Sequence, residues 1–276
     1  MPLIDSSQLF RPSLRPLYRP FQAPLEGLLG LAGINRLYEA CKGGTTEEFS
    51  RRCLAYMGLD WDFPEAEIQR LKKIEGPLIV VANHPLGGPE AVLLHILLGR
   101  IRADYRLMAN FVLGMVPEVA PKLILVDPFD GKDAKARNLA PLRESLQWLK
   151  GGGLLGVFPA GEVSSLDLGS RRVRDKAWQP GIAALALKSR ATVLPLYFEG
   201  RNSWVFQAAG LVSPRLRTLM LPRTTLKPAP KALTFQFGNG IPVERLTEIG
   251  EAEKLSRHLY ECCYSLAAAR PLQDGG

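Results

Sequence analysis

A short apolar run that leads into a turn rich in glycine and proline most constrains the fold of this 276-residue chain. Leu78 to Ala82 is apolar and rich in β-branched residues, which favours a strand that is buried on both faces of a sheet. The next residues, Asn-His-Pro-Leu-Gly-Gly-Pro-Glu at 83–90, end that strand. Pro89 suits the first turn of a helix, which we expect from Glu90 to Gly99. The stretch predicts a strand, a tight loop and a helix.

Short apolar runs and helical segments alternate along the rest of the chain. This alternation predicts an α/β fold with a largely parallel central sheet flanked by helices, preceded by an N-terminal helical lead-in. The predicted strands are Leu78–Ala82, Leu107–Asn110, Leu123–Val126, Leu154–Phe158, Val193–Phe198 and Leu233–Phe237. The predicted helices are Pro24–Cys41, Thr46–Tyr56, Glu90–Gly99, Ala134–Lys150, Gly181–Ser189 and Glu251–Ala268.

A change of character near residue 76 predicts two parts of the chain. Residues 1–75 would form an arm and helices that associate with a membrane, and residues 76–276 would form the α/β domain. In the arm, apolar side chains alternate with Arg11, Arg15 and Arg19, which suits an interfacial segment or a strap lying over the core.

A histidine and an acid flank the turn. His84 follows the predicted strand, and Glu90 lies six residues later in the first turn of the next helix, where backbone N–H groups favour a negative charge. A carboxylate held across a tight loop can fix the tautomer of an imidazole and stabilise it once it takes a proton. We therefore predict that His84 is a general base oriented by Glu90. The alternative is a structural histidine that caps the loop.

A second strand ends in residues that suit a binding site. The predicted strand Leu154–Phe158 is followed by Pro-Ala-Gly-Glu-Val-Ser-Ser at 159–165. Ligands of open α/β sheets bind at the carboxyl ends of strands, so this loop is expected to meet the His84 loop at one crevice. Gly161 would let the backbone approach a ligand, Ser164 could donate a hydrogen bond and Glu162 adds a carboxylate. Taken alone, Phe-Pro-x-Gly is a common strand exit and favours a simple turn, but its occurrence together with Asn-His-Pro-Leu-Gly-Gly shifts the balance toward a site.

The charge of the chain points to an anionic partner. The net charge is +8, and the segment from Arg201 to Lys231 carries six cations and no acid. These cations alternate with aliphatic residues and not with stacking aromatics, which favours an anionic membrane surface over nucleic acid. A solvated basic loop is the alternative for any one of them.

Other features exclude several classes of protein. The four cysteines have no C-x-x-C spacing, which argues against a metal site or disulfides. The apolar runs are much shorter than a membrane-spanning helix requires, and the N-terminus lacks the pattern of a secretory signal. We expect a cytoplasmic protein that is peripheral on the inner face of the cell membrane.

The two motifs, in this order, resemble those of the glycerolipid acyltransferase superfamily, whose members use a His-x4-Asp motif and a later Phe-Pro-Glu-Gly motif. The resemblance is strongest toward a branch named after hemolysins, which includes O-acyltransferases of lyso-ornithine lipid. That branch writes its motifs Asn-His-Pro-Leu-Gly-Gly-x-Asp and Phe-Pro-Ala-Gly-Glu. Asp175 and Trp178, and the run from Leu194 to Ser203 with Phe206, extend the similarity over roughly residues 76 to 242.

The resemblance implies an O-acyltransferase that moves a fatty acyl group from acyl carrier protein or coenzyme A to the hydroxyl of a lyso-lipid, either an amino-acid lipid or a lysophospholipid. No bound cofactor, metal or nucleic acid is implied. Backbone N–H groups around Gly161 would stabilise the tetrahedral oxyanion. Arg171, Arg172 and Arg174 could hold the phosphates of coenzyme A or the acidic helix of acyl carrier protein, and a solvated basic turn is an equal alternative for each of them. The expected substrate-binding residues are Asn83, Gly87, Gly88, Phe158, Pro159, Gly161, Glu162, Ser164, Arg171, Arg172, Arg201 and Asn202.

Two departures from the family pattern matter. The acid, Glu90, lies one residue further along than the aspartate of the wider family, and it is a glutamate where the branch usually has aspartate, so its contact with His84 requires a slightly different loop. In addition, Leu123 to Gly131 contains no counterpart of the arginine that the superfamily commonly ties to a substrate phosphate, which is compatible with an acceptor that lacks phosphate. The alternatives are a lipid or thioester hydrolase that uses the same pair, and a non-catalytic membrane-binding protein.

Overall fold

A six-stranded sheet organises the fold, as seen in a computed structural model that describes residues 26–27, 29–127, 138–226 and 231–268. The strand order in this sheet is β10-β8-β2-β5-β3-β4, and every pair is parallel except β10 with β8. Two small sheets pair β1 with β9 and β6 with β7. The strands are β1 (Asp60–Trp61), β2 (Leu78–Ala82), β3 (Tyr105–Asn110), β4 (Leu123–Val126), β5 (Leu154–Val157), β6 (Ser165–Asp167), β7 (Arg172–Arg174), β8 (Thr192–Phe198), β9 (Ala232–Leu233) and β10 (Phe235–Phe237).

Helices cover both faces of the sheet, so the predicted fold class is confirmed. Their bounds are α1 (Leu31–Cys41), α2 (Thr46–Tyr56), α3 (Glu65–Lys72), α4 (Gly88–Ile101), α5 (Leu139–Lys150), α6 (Pro180–Ser189), α7 (Trp204–Val212), α8 (Pro214–Leu219), α9 (Leu221–Thr225), α10 (Val243–Ile249) and α11 (Ala252–Ser265). Among the described residues, none of these helices is long and apolar enough to cross a bilayer.

The central strand β2 shows how the two layers are built. Successive side chains of a strand point to opposite faces. Leu78 and Val80 join the core that includes α4 and the lead-in helices, whereas Ile79 and Val81 join the core beneath α6 and α11. Because all five residues of β2 are buried, its continuous apolar sequence was a reliable sign of a central strand.

The lead-in helices share the first of these cores. Buried side chains of α1, α2 and α3 belong to the same cluster as the sheet and α4, and α2 packs directly on α4. The division of the chain at residue 76 stays a prediction, and the arm with Arg11, Arg15 and Arg19 lies outside the described residues.

The structure corrects several predicted boundaries. Gly30 adopts φ 80° and stands before α1, so the helix predicted over Pro24–Cys41 is interrupted there. The strand predicted over Leu233–Phe237 is two strands, because β9 pairs with β1 in a small sheet, whereas β10 pairs with β8 in the central sheet. The helix predicted from Ala134 begins at Leu139 within the described part. The β6–β7 hairpin and helices α7 to α9 were not predicted.

Candidate active site

The loop between β2 and α4 brings His84 and Glu90 together. His84 Nδ1 lies 3.0 Å from Glu90 Oε1, with the Glu90 side chain fully buried and the His84 side chain 16% exposed. Glu90 Oε1 also accepts the backbone N–H groups of Leu86 and Gly87, each at 2.7 Å. The carboxylate is thus fixed by its own loop. When it accepts from Nδ1–H, the imidazole keeps the lone pair on Nε2 for a proton from a substrate.

The second predicted loop meets the first at this point. The Phe158 ring, just past the end of β5 and followed by Pro159, stacks on the His84 imidazole with 4.0 Å between centroids and 21° between planes. In the backbone, Ser164 N–H donates to the carbonyl of His84 at 2.8 Å. The expectation that the two strand ends share one site therefore agrees with these contacts.

The Asp175 carboxylate links the two loops by hydrogen bonds to both of them. Its Oδ1 accepts from the backbone N–H of His84 at 3.2 Å and from the Ser164 hydroxyl at 2.5 Å. Its Oδ2 accepts from Trp178 Nε1–H at 2.9 Å. Burial raises the pKa of Asp175, while these hydrogen bonds act in the opposite direction. In the sequence, Asp175 and Trp178 stand out only as matches to the family motifs. Their spacing of three residues is the one sequence feature that indicates a contact between them.

Two asparagines hold the His84 loop to the end of β8. The Asn83 amide donates to the carbonyl of Phe198 and accepts its N–H, at 2.9 and 2.6 Å. Asn202 Nδ2 donates to the carbonyl of Leu86 at 2.9 Å. Both side chains are buried, as is that of Ser164, and all three form hydrogen bonds with other groups of the protein. The structure therefore gives these residues positioning roles, and contact with substrate stays a prediction for them.

Glycines allow close packing around the loop. Gly87 has φ 97°, a backbone conformation that residues other than glycine rarely adopt. A Cβ on Gly88 would lie 2.4 Å from the side chain of Thr225, so its absence lets α9 lie on the loop. Gly161, with φ 70°, closes a turn in which its N–H donates to the carbonyl of Phe158 at 3.0 Å. The N–H of Gly161 itself is therefore bonded within the protein, and an oxyanion site formed by N–H groups around Gly161 stays a prediction.

Comparison with known proteins identifies the family. A family model described as Acyltransferase matches residues 32–265. The chain belongs to this acyltransferase family. The family expected from the motifs is thus confirmed.

Curated relatives have more specific names. The chain is similar to lyso-glycine lipid O-acyltransferases of Phocaeicola vulgatus, with 24% identity over 84% of this chain and 82% of the relative, and of Bacteroides thetaiotaomicron, with 25% identity over 84% and 85%. A solved structure of a 1-acyl-sn-glycerophosphate acyltransferase from Thermotoga maritima aligns with a TM-score of 0.47 and 17% identity, covering 93% of this chain and 96% of that one.

The predicted second carboxylate of this acyltransferase is engaged in ion pairs. Glu162 Oε1 lies 2.7 Å from Lys176 Nζ, and Glu162 Oε2 binds the guanidinium of Arg217. The Arg217 side chain is only 6% exposed, and it also lies over the ring of Phe206. Arg217 is one of the six cations between Arg201 and Lys231 that were expected to face an anionic partner, and this expectation is wrong for Arg217, because its buried guanidinium is paired with the partly exposed Glu162.

The remaining predicted arginines are exposed. Arg171 and Arg172 lie on the β6–β7 hairpin, with Arg171 at φ 55° in its turn. The Arg201 guanidinium stacks on the ring of Trp204, 4.6 Å from its centroid. None of the three belongs to the hydrogen-bond network that the described residues form around His84. Their contact with substrate stays a prediction.

Proposed function

We propose that this acyltransferase moves a fatty acyl group from an acyl thioester to the hydroxyl of a lyso-lipid, with His84 as general base. The observation that carries the proposal is the contact of His84 Nδ1 with the buried carboxylate of Glu90, at 3.0 Å. A histidine held in this way at the carboxyl end of a parallel strand is suited to proton transfer at a ligand crevice.

Acyl transfer requires a base because an alcohol is a poor nucleophile at neutral pH. His84 Nε2 takes the proton of the acceptor hydroxyl as its oxygen attacks the thioester carbonyl carbon. The resulting tetrahedral intermediate collapses by breaking the C–S bond, and the imidazolium returns the proton to the departing thiolate. Glu90 stabilises the imidazolium between these steps. The Phe158 ring covers one face of the imidazole and restricts its orientation.

The acceptor that we propose is an amino-acid lipid such as lyso-glycine lipid. Two curated relatives carry that name and align along most of their length. The lack of arginine between residues 123 and 131 also favours an acceptor without phosphate over a lysophospholipid. For the donor we propose acyl carrier protein or coenzyme A, because both present anionic groups that Arg171 and Arg172 could bind.

The test is an assay of purified protein with lyso-glycine lipid and a long-chain acyl thioester. Wild type is expected to form the acylated lipid and to consume thioester only when acceptor is present. His84→Ala is expected to lose at least about a hundredfold in rate while keeping its circular dichroism spectrum, because it lacks the base. The matched control is His258→Ala, which removes a half-buried histidine of α11.

Two results would contradict the proposal. Turnover of His84→Ala near that of wild type would exclude this histidine as the base. Equal consumption of thioester with and without acceptor would identify a hydrolase. Running the assay with lysophosphatidic acid, and with carrier-protein and coenzyme A thioesters, identifies the acceptor class and the donor.

A further inference from the structure

Helix α7 has its apolar face on the outside. Trp204, Val205, Leu211 and Val212 are 57%, 68%, 52% and 80% exposed, although they are large and apolar. Together with the exposed Ala208 they occupy positions i, i+1, i+4, i+7 and i+8, which lie on one side of a helix. We call these five residues the α7 stripe. A surface helix ordinarily buries such a face, so its exposure indicates a partner.

The inner face of α7 fixes the stripe toward the outside. Phe206 is fully buried, and Gln207 Oε1 accepts from the backbone N–H of Leu166 at 2.9 Å. The Ser203 hydroxyl caps the helix by accepting from Phe206 N–H at 3.3 Å. Rotating the helix to bury the stripe would break these contacts, so the exposed apolar face belongs to the folded state.

The surroundings of the stripe are cationic. Residues 204–226 contain no acid, and the exposed Arg201 lies against Trp204 at the N-terminal end of the stripe. The β6–β7 hairpin, which packs against α7, presents Leu168 at 68% exposure together with Arg171 and Arg172. The acid of this hairpin, Asp167, accepts hydrogen bonds from Ser170. Exposed apolar side chains bordered by cations match the interface of an anionic bilayer.

The segment that bears the stripe also covers the catalytic loop. Helix α8 packs on both α7 and α9, and a Cβ on Gly87 would lie 3.0 Å from Leu221 of α9. Thr225 of the same helix lies against Gly88. We propose that the α7 stripe inserts into the surface layer of an anionic bilayer and thereby places the His84 loop beside its lipid acceptor. The second part rests on the proposed function, whereas insertion itself does not.

The first experiment measures co-sedimentation with phosphatidylcholine vesicles that contain phosphatidylglycerol. Replacing Trp204, Val205, Leu211 and Val212 together by Gln is expected to weaken vesicle binding by about a hundredfold, since each apolar side chain contributes to insertion. Activity on an acceptor dissolved in detergent is expected to persist, and activity on the same acceptor in vesicles to fall. The matched control is Tyr56→Gln with Leu139→Gln, which removes two equally exposed side chains elsewhere.

A second experiment does not depend on the stability of a multiple variant. In wild type, vesicles with brominated acyl chains are expected to quench Trp204 fluorescence, and the quenching should disappear in Trp204→Phe. Absence of this quenching, wild-type vesicle binding by the quadruple variant, or failure of wild type to bind vesicles would each overturn the proposal. It is also overturned if binding requires Phe111, Leu113 and Met115, another exposed apolar group, and not the stripe. If wild type has no acyltransferase activity on the acceptor dissolved in detergent, the proposed function is wrong. The sedimentation and quenching results still test insertion into the bilayer in that case.

Discussion

At the residue scale, Glu90 explains how the spacing of the first motif can differ from the family pattern. With five residues between His84 and the acid, one Glu90 oxygen still reaches His84 Nδ1 at 3.0 Å and accepts from two loop N–H groups at 2.7 Å. The pairing itself could be predicted from sequence, because the strand end and the helix start fix both residues. The backbone bonds to Glu90 could not, since they depend on the path of the loop.

Glu90→Gln tests the role of the negative charge. The amide oxygen can still accept from Leu86 and Gly87, so the loop should fold, but the neutral group stabilises an imidazolium poorly. We expect the rate to fall by about a hundredfold. Glu90→Asp keeps the charge at a shorter reach and should retain part of the rate. The measurement is the pH dependence of kcat/KM for each variant, and a Gln variant with the wild-type profile would exclude the pair.

His95 predicts how stability depends on pH. Burial, followed by the charge of Lys122, lowers the pKa of this α4 histidine to about 4. Because its folded pKa lies below the usual value near 6.5, the unfolded chain binds a proton that the folded chain rejects. Stability is therefore expected to fall as the pH drops from about 6.5 to 4, by up to about 3 kcal/mol.

Urea unfolding at several pH values measures the slope of the free energy of unfolding against pH. In His95→Gln the slope over that window should be shallower than in wild type, and His258→Gln serves as the control. If wild type and His95→Gln had equal slopes, the buried histidine would not be the cause.

At the scale of elements, Asp175 joins the loops that follow β2 and β5. Asp175→Asn keeps the size of the side chain but presents an amide NH₂ group to groups that are themselves donors. Losing one such buried bond costs about 1–3 kcal/mol. We expect lower stability in urea and a lower kcat measured well below the melting temperature, with KM changed less, since the His84 backbone loses its anchor.

Ser164→Ala is the matched comparison for this variant. It removes one bond to Asp175 but leaves the bond from His84 N–H and the backbone bond from residue 164 to the His84 carbonyl. A smaller loss of kcat is expected. Equal losses in the two variants would show that the bond from His84 to Asp175 does not position the catalytic loop.

Sequence patterns predicted most elements of the sheet because buried parallel strands read as continuous apolar runs. These patterns did not predict elements whose apolar residues are exposed or whose strands are short and divided between sheets. Helix α7 turns its apolar face to the outside, so periodicity gave no sign of which side is buried. Residues 232–237 are divided between two sheets, with β9 paired to β1 and β10 to β8, which no pattern of side chains reveals.

At the scale of the whole molecule, charge was the least reliable guide from sequence. The distribution of charge along the sequence locates a basic segment, but it does not show which of its cations are exposed to solvent. Arg217 is buried against Glu162, whereas Arg201 in the same segment is exposed against Trp204. The partner of Arg217 lies 55 residues away in sequence, so only the fold distinguishes the two arginines.

The shared core predicts the behaviour of a chain that lacks residues 1–75. Burial of a large apolar side chain contributes about 1.5–3 kcal/mol, and a domain has a net stability of about 5–15 kcal/mol. The described part of this segment supplies seven such side chains to the shared core: Leu37, Phe49, Leu54, Leu59, Phe63, Ile68 and Leu71. Residues 76–276 alone are therefore expected to aggregate or to lack a cooperative thermal transition. Calorimetry and gel filtration check this, and a soluble, cooperatively unfolding fragment would contradict it.

The loop that carries His84 is held by residues far along the chain. Asn83 is bound to Phe198, the loop carbonyl of Leu86 to Asn202, and Gly88 lies against Thr225. A ribosome must therefore have translated the chain as far as Thr225 before all of these contacts to the histidine loop can form. If His84 is the base that we propose, a nascent or partly folded chain would lack it, and so would not hydrolyse an acyl thioester.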